Sequence, residues 1–134
     1  MTANLDEQIS AGFAEIRRSK KRYMVIKMSE DYVSVQCEHL GERDSSFEDF
    51  LNHVPKDQPR FLVYDLEYST GDGRKQSKLL FIMYSPDQCS EGKLRFAYAN
   101  NKEIVKAKCS PINKEFQIND HADLSQQSWI EEFS

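Results

Sequence analysis

Apolar residues recur along the chain with two different periods, and these periods predict where the helices and strands lie. The first periodic segment has apolar residues at intervals of four, four and three positions: Leu5, Ile9, Phe13 and Ile16. This spacing places all four side chains on one face of a helix. Asn4 stands where a helix N-cap is expected. The chain is therefore predicted to begin with a helix whose apolar face belongs to the core.

Four later segments alternate in polarity or are rich in β-branched and aromatic residues, which is typical of strands: Tyr23–Met28, Tyr32–Cys37, Arg60–Tyr68 and Lys78–Tyr84. A short polar turn separates the first two, and a Gly-Asp-Gly sequence lies between the last two. Each pair therefore predicts a β-hairpin. Within the first hairpin, alternation puts Val33, Val35 and Cys37 on one face.

A second helix is predicted between these hairpins. Ser45 and Glu48 have the spacing of a capping box, and Pro55 is placed to end the helix. Apolar residues between them follow the helical period: Phe47, Phe50, Leu51 and Val54.

The remainder of the chain predicts a strand, a helix, a strand and a helix. The strands are Leu94–Ala99 and Glu115–Ile118, and the helices run from Asn100 or Asn101 through Cys109 and over Leu124–Phe133. The predicted order is αββαβββαβα within a single domain, residues 1–134. Helices interspersed among hairpins favour an α/β fold of the α+β type, a mixed sheet with helices on both faces.

Composition limits the classes of function. The chain has 134 residues, of which 39% are hydrophobic, enough to form one core. Its apolar runs are far shorter than a membrane span. The three cysteines, Cys37, Cys89 and Cys109, lack the paired spacing of a zinc or redox site, so we expect free thiols in a reducing cytosol.

Charge is segregated along the chain, although the net charge is −4. Residues 17–27 carry six Lys or Arg and no acidic residue, whereas residues 119–134 carry four acidic residues and no Lys or Arg. Nucleic-acid-binding domains are usually basic overall, so the acidic total argues against that class. A protein partner with an acidic surface fits better. The alternative is a lipid or nucleic-acid ligand bound by residues 17–27.

The sequence contains no catalytic signature, which predicts that the protein is not an enzyme and needs no cofactor. The segment Thr70–Lys75 is rich in glycine but links two strands, so a hairpin turn is favoured over a phosphate-binding loop. Cys37 and His39 have the spacing of half a metal site, yet His53 and His121 lie far off in sequence. A structural role is therefore preferred for these side chains, and no metal site is predicted.

Four motifs in register resemble the ADF/cofilin family. The family pattern contains Tyr-Asp-Phe-Glu-Tyr, Gly-Lys-x-Ser-Lys, Trp-Ser-Pro-Asp and Lys-Met-x-Tyr-Ala-Ser-Ser-Lys-Asp. The matching segments occur here in the same order: Tyr64–Tyr68, Gly73–Ile82, Tyr84–Asp87 and Arg95–Glu103. The resemblance covers roughly nine tenths of the chain. It implies a sheet of five or six mixed strands between two pairs of helices, and binding to actin monomers and filaments.

The resemblance also implies which residues contact an actin monomer. In the family, the helix after the Tyr-Ala-Ser-Ser part of the fourth motif, with the strand before it, enters the hydrophobic cleft between two actin subdomains. The corresponding residues are Arg95, Phe96, Lys102, Glu103 and Lys106. Helical geometry places Lys102 and Lys106 on one face, which suits an acidic rim. Taken without the resemblance, the same pattern describes a solvated charged face, with Val105 and Cys109 turned into the core.

A second family surface contacts filaments through the central hairpin and the last helix. Arg74, Lys75 and Lys78 retain the basic hairpin, whereas Glu131 and Glu132 stand where basic residues are usual. This departure weakens the expectation of filament contact and severing.

The function expected from the resemblance is depolymerisation and turnover of actin filaments by a monomeric protein of the cytoplasm and cytoskeleton. Phosphoinositides are a further expected ligand of its basic residues. The alternative is a relative of the same fold that sequesters monomers, or that binds filament branches as glia maturation factor does, with little or no severing. Thr2 is a poor substitute for the family's regulatory serine.

Overall fold

The computed structural model describes residues 4–5, 7–29, 31 and 34–133. The strands of the structure are β1 Asn4–Leu5, β2 Lys21–Met28, β3 Ser34–Glu42, β4 Arg60–Ser69, β5 Lys75–Tyr84 and β6 Lys114–Ile118. The helices are α1 Glu7–Arg17, α2 Phe47–Asn52, α3 Gly92–Lys108 and α4 Gln126–Glu132, with a 3-10 turn at His121–Asp123.

One mixed sheet has the strand order β1-β3-β2-β4-β5-β6. Its central pairs, β3–β2, β2–β4 and β4–β5, are antiparallel, whereas β1 and β6 join the edges in parallel. The parallel step from β5 to β6 requires a crossover connection, and α3 provides it. The long helix therefore connects the end of β5 to the start of β6.

Both faces of the sheet are covered, as predicted. Alternate residues of the central strands point to opposite sides, and they form two apolar clusters. One cluster packs α1 and α3 against Phe61, Val63 and Phe81. The other packs α2 and α4 against Leu62, Tyr64, Leu80 and Ile82. Among the described residues, no helix combines the length and apolar character that crossing a membrane requires.

The predicted strand over Leu94–Ala99 is wrong, because these residues form the first half of α3. The buried positions of that helix are Tyr98, Asn101 and Val105, at intervals of three and four residues. This helical period continues back to Leu94, which packs against the same core. The local alternation of Leu94, Phe96 and Tyr98 imitates a strand, but Phe96 faces solvent.

Three element boundaries also differ from prediction. Asn4 pairs with Ser34 in β1, so its backbone belongs to a strand, and α1 begins only at Glu7. The cap of α2 is Ser46, whose Oγ accepts a hydrogen bond from the backbone N–H of Asp49 at 3.0 Å, and not Ser45. The last helix is shorter than predicted, because α4 begins only after the N-cap Ser125.

The first hairpin is longer than predicted. Strand β3 continues to Glu42 through Gly41, where the aromatic ring of Tyr23 lies so close that a Cβ atom would meet it at 2.3 Å. Only glycine allows the strand to continue past that ring. The predicted shared face of Val33 with Val35 and Cys37 lies partly outside the described residues.

Candidate functional site

The most exposed large apolar side chain in the described part of the chain is Phe96, on α3, which is 70% exposed. It borders an open groove of about 530 Å³ whose other helical lining includes Gly92, Lys93, Ala97 and Asn100. The walls are mostly apolar, and Phe96 and Ala97 are among the residues that line them. An exposed aromatic ring beside an apolar groove is typical of a protein interaction site.

Arg95 is held in place next to Phe96 by the end of β5. Its Nε donates to Oγ of Ser85 at 3.0 Å, and its guanidinium lies 3.4 Å from a carboxylate oxygen of Asp87. The side chain is still 34% exposed. The segment Tyr84–Asp87, which carried part of the family resemblance, therefore orients a cation beside the exposed ring.

Lys102 and Lys106 both form ion pairs with Glu115 of β6. The Nζ atom of Lys102 lies 2.9 Å from one carboxylate oxygen, and that of Lys106 lies 2.8 Å from the other. Hydrogen bonds from Lys106 and Lys102 lower the pKa of Glu115, and the pKa of each lysine is raised in turn. The predicted positive stripe is therefore partly neutralised by a residue that sequence analysis did not select.

Glu103, the remaining residue predicted for the monomer site, lies 3.6 Å from Lys102 and is largely exposed. Val105 of α3 and its C-cap residue Cys109 are fully buried. Burial raises the pKa of the Cys109 thiol to about 12. The helix thus has a charged outer face and an apolar inner face. Both the actin-binding interpretation and the solvated-face interpretation of the sequence require this arrangement.

The tip of the β4–β5 hairpin is a compact turn. Gly73 has a φ of +87°, a conformation that favours glycine, and the backbone N–H of Thr70 donates to the carbonyl of Arg74 at 2.8 Å. Asp72 accepts from Thr70 and forms an ion pair with Arg74 at 2.8 Å. These contacts lower the pKa of Asp72, with the hydrogen bond from Thr70 contributing most.

The three basic hairpin residues do not share one face of the sheet. Strand alternation puts Lys78 on the face that α2 and α4 cover, together with the buried Leu80. Lys75 points to the other side, and Arg74 lies in the turn. Only Lys78 is therefore on the same face as the last helix.

The last helix ends in two exposed carboxylates. Glu131 accepts a weak hydrogen bond from Gln127 at 3.5 Å. Phe133, just beyond Glu132, stacks on Tyr68 with ring centroids 6.2 Å apart. The structure thus brings the acidic end of α4 close to the strand that leads into the basic hairpin.

Half of the basic side chains in segment 17–27 are paired with acidic residues. Lys21 pairs with Glu42, Arg22 with Glu67, and Lys27 with Glu38. Only the end of α1 and the turn after it present exposed basic residues, Arg17, Arg18 and Lys20. Because these ion pairs neutralise part of the positive charge, most of the support for a lipid or nucleic-acid ligand of this segment is removed.

A cluster of titratable side chains was missed from the sequence. The structure brings His39, Asp49 and His53 together, with potential ligand atoms all within 4.8 Å of one another. A register shift between Val25 and Ile26 of the facing strand lies opposite Cys37 and His39. This β-bulge turns Cys37 and His39 to opposite faces, although they are two residues apart. The sequence analysis set His53 aside because it lies far from His39 along the chain, and this was wrong because the fold brings the two side chains together.

Burial lowers the pKa of His39, and the nearby charge of His53 lowers it further. The hydroxyl of Tyr23 donates to the carboxylate of Asp49 at 2.7 Å, and this hydrogen bond lowers the pKa of Asp49. His121 lies elsewhere, with its Nε2 near the carbonyl of Val54 at 3.1 Å.

The chain matches known proteins over nearly its whole length. Residues 2–134 match the family described as cofilin/tropomyosin-type actin-binding protein. Actin-depolymerizing factor 8 of Arabidopsis thaliana is 31% identical over 123 residues, covering 91% of this chain and 87% of that protein. Actophorin of Entamoeba histolytica is 30% identical over 122 residues, covering 90% and 87%.

A solved structure has the same fold. The crystal structure of Streptomyces griseoflavus cofilin superposes with a TM-score of 0.89 at 25% identity, covering 98% of this chain and 97% of that chain. The resemblance drawn from four short motifs is therefore confirmed. The chain belongs to the family of cofilin/tropomyosin-type actin-binding proteins.

Proposed function

We propose that the protein binds monomeric and filamentous actin through the exposed face of α3 and thereby promotes filament depolymerisation and turnover. The observation that carries this proposal is the 70% exposure of Phe96 beside an apolar groove. Membership in an actin-binding family confirms the expectation that the chain acts by binding and not by catalysis.

The monomer contact is assigned to an apolar anchor with cations around it. Phe96 supplies the area that an interface core requires, and an aromatic anchor of this kind can contribute about 2 kcal/mol or more. Arg95 has both a fixed guanidinium and an exposed edge. Lys102 and Lys106 supply positive charge at the rim, reduced by Glu115, so they are expected to affect association more than the stability of the complex.

Contact with a neighbouring subunit in a filament is assigned to Arg74, Lys75 and Lys78 of the hairpin, with Glu131 and Glu132 at the end of α4. The two glutamates place negative charge beside the basic hairpin. This observation supports the second candidate function, in which the protein sequesters monomers or binds filament branches and severs little. In both candidate functions, actin monomers are bound by the same surface on α3.

Phosphoinositide binding is proposed only for the exposed basic residues at the end of α1, because most other cations of that region are paired. We place the protein in the cytoplasm, associated with the actin cytoskeleton and acting as a monomer. Vesicles with and without phosphoinositide, mixed with wild-type protein or with an Arg17→Ala/Arg18→Ala variant, test the lipid contact directly.

Sedimentation of actin filaments tests the function. Increasing amounts of protein are added to a fixed amount of filament, and actin and protein are measured in both pellet and supernatant. Depolymerisation with filament binding predicts protein in the pellet and a rise in unpelleted actin. Sequestration predicts the rise in unpelleted actin with little protein in the pellet. Filaments that bind no protein and lose no actin would refute both depolymerisation and sequestration, and would leave branch binding as the function.

A further inference from the structure

The cluster of His39, Asp49 and His53 lies on the face of the sheet that α2 covers. His39 comes from β3, and Asp49 and His53 lie one turn apart at the two ends of α2. The imidazole rings stack with their centroids 3.7 Å apart and their planes within 6° of parallel. Potential ligand atoms of the three side chains all lie within 4.8 Å of one another.

The imidazole ring of His53 is held in place by the helix end. The backbone N–H of His53 bonds to the carbonyl of Phe50 at 3.1 Å, which closes the helix with a tighter turn. The carbonyl of Asp49 thus has no backbone partner from His53, and it accepts from Nδ1–H of the imidazole at 2.9 Å. One side chain therefore both caps α2 and faces His39.

The carboxylate of Asp49 is held by a buried group. Tyr23 is fully buried, and its hydroxyl donates to Oδ2 of Asp49 at 2.7 Å while lying 3.1 Å from Nδ1 of His53. Metal-binding carboxylates are commonly oriented by such a hydrogen bond from a second residue. The tyrosine hydroxyl occupies only one of several lone pairs of the carboxylate, so others remain available.

We propose that His39, Asp49 and His53 bind a divalent transition-metal ion, zinc in the first instance. Two imidazoles and one carboxylate are nitrogen and oxygen ligands that suit zinc, whereas calcium and magnesium prefer oxygen ligands alone. The side chains of His53 and Asp49 are 38% and 44% exposed, which leaves the ion an approach from solvent and a position for water. The two histidines line an open groove of about 370 Å³.

Zinc binding would require the stacked rings to open. Zinc–nitrogen distances are about 2.0–2.1 Å with the ion close to each ring plane, and two parallel rings direct their lone pairs side by side. Rotation of His39, on its half-buried strand, brings the lone pairs together. The bound ion would then link the end of α2 to β3.

Isothermal titration of the reduced protein with zinc chloride tests this site, with His39→Gln and His53→Gln as the disrupting variants. The expected result is one ion per chain and a loss of affinity of at least about tenfold in either variant. His121→Gln is the matched control, because it removes the remaining histidine and leaves the cluster intact. Cys37→Ser controls for binding by the thiol on the same strand. Both controls should bind within about twofold of wild type.

Tyr23→Phe separates positioning from ligation. It removes the hydroxyl that orients Asp49 and leaves all three ligands, so it should lower the affinity for zinc by less than either histidine variant does. Loss of binding in Cys37→Ser or His121→Gln, with retention in both cluster variants, would overturn the proposal.

Nuclear magnetic resonance of the wild-type histidine side chains decides the matter if a cluster variant does not fold. Zinc should shift the ring signals of His39 and His53 and leave those of His121 in place. Equal shifts at all three histidines, or none at saturating zinc, would show that the stacked pair serves only for packing.

Discussion

The Nζ atom of Lys78 lies 5.6 Å from the ring centroid of Phe133, so Lys78 of the basic hairpin and the end of the last helix form one continuous surface. The ring of Phe133 also stacks on Tyr68 of β4, two residues from Leu66, which pairs with Lys78. A cation near an aromatic face is attracted to it by about 0.5–1 kcal/mol at exposed sites. The two segments proposed for filament contact are thus adjacent, although more than fifty residues separate them.

The charge of Glu132 is predicted to limit filament binding. It is exposed at the carboxyl end of α4, where the helix dipole already concentrates negative potential. Glu132→Arg should raise filament affinity, mainly through faster association at low salt, and leave monomer affinity unchanged. Glu132→Gln is the matched control and should give an intermediate effect. Counts of filament breaks at low ionic strength measure the outcome, and equal severing by all three proteins would refute the role of this charge.

The basic hairpin is predicted to serve filaments only. Arg74 lies in the turn of the β4–β5 hairpin and Lys75 and Lys78 lie near the start of β5, whereas Phe96 lies on α3. Replacement of all three with alanine should reduce co-sedimentation with filaments and spare the affinity for monomers. Circular dichroism would check that the variant is folded. A parallel fall in both affinities would mean that the two surfaces are not separate.

The ion pairs of Glu115 are predicted to make stability depend on acid. Because the folded state lowers the pKa of Glu115, the pairing stabilises the protein above the ordinary glutamate pKa of about 4.3 and is lost as the pH falls below it. In Glu115→Gln this contribution is absent. Urea unfolding between about pH 6 and about pH 3 should show the wild type losing its advantage over the variant. If the difference in free energy of unfolding between wild type and Glu115→Gln stayed constant across that pH range, the ion pairs of Glu115 would not be the source of the acid dependence.

The buried carboxylate of Asp65 is predicted to stabilise the fold. It is 2% exposed, lies 2.7 Å from Arg43 and accepts a hydrogen bond from Ser77. Asp65→Ala leaves these donors without their acceptor and should lower the free energy of unfolding by about 2–3 kcal/mol. Glu42→Ala, which breaks only the exposed pair with Lys21, should cost much less. Chemical denaturation compares the two variants, and equal losses would argue against a special role for Asp65.

The sequence predicted all four helices, the third only in its second half, and five of the six strands that the structure describes, because their apolar residues follow clear periods. It failed at Leu94–Ala99, where six residues alternate as a strand does. The helix forms there because Leu94 and Tyr98 share a helical period with Asn101 and Val105. A window as short as the predicted strand does not include those last two residues. The short β1 was missed for a different reason, since its pairing with Ser34 is a distant contact.

The candidate site could be predicted only in part. Family resemblance selected Arg95, Phe96 and the two lysines of α3, but it did not reveal that Glu115 pairs with both lysines. The histidine cluster depends on a β-bulge that rotates His39 toward α2. A bulge changes the register by one residue and leaves no clear mark in the pattern of polarity.

The affinity of Phe96→Ala for actin monomers tests the central claim most directly. Because Phe96 is exposed, its truncation should leave the free energy of unfolding within about 0.5 kcal/mol of wild type. Loss of an interface anchor worth about 2 kcal/mol raises the Kd about 30-fold. Lys56→Ala, an exposed change on the loop between α2 and β4, is the control and should bind as wild type does. A folded Phe96→Ala protein with unchanged affinity would contradict the assignment of actin binding to α3.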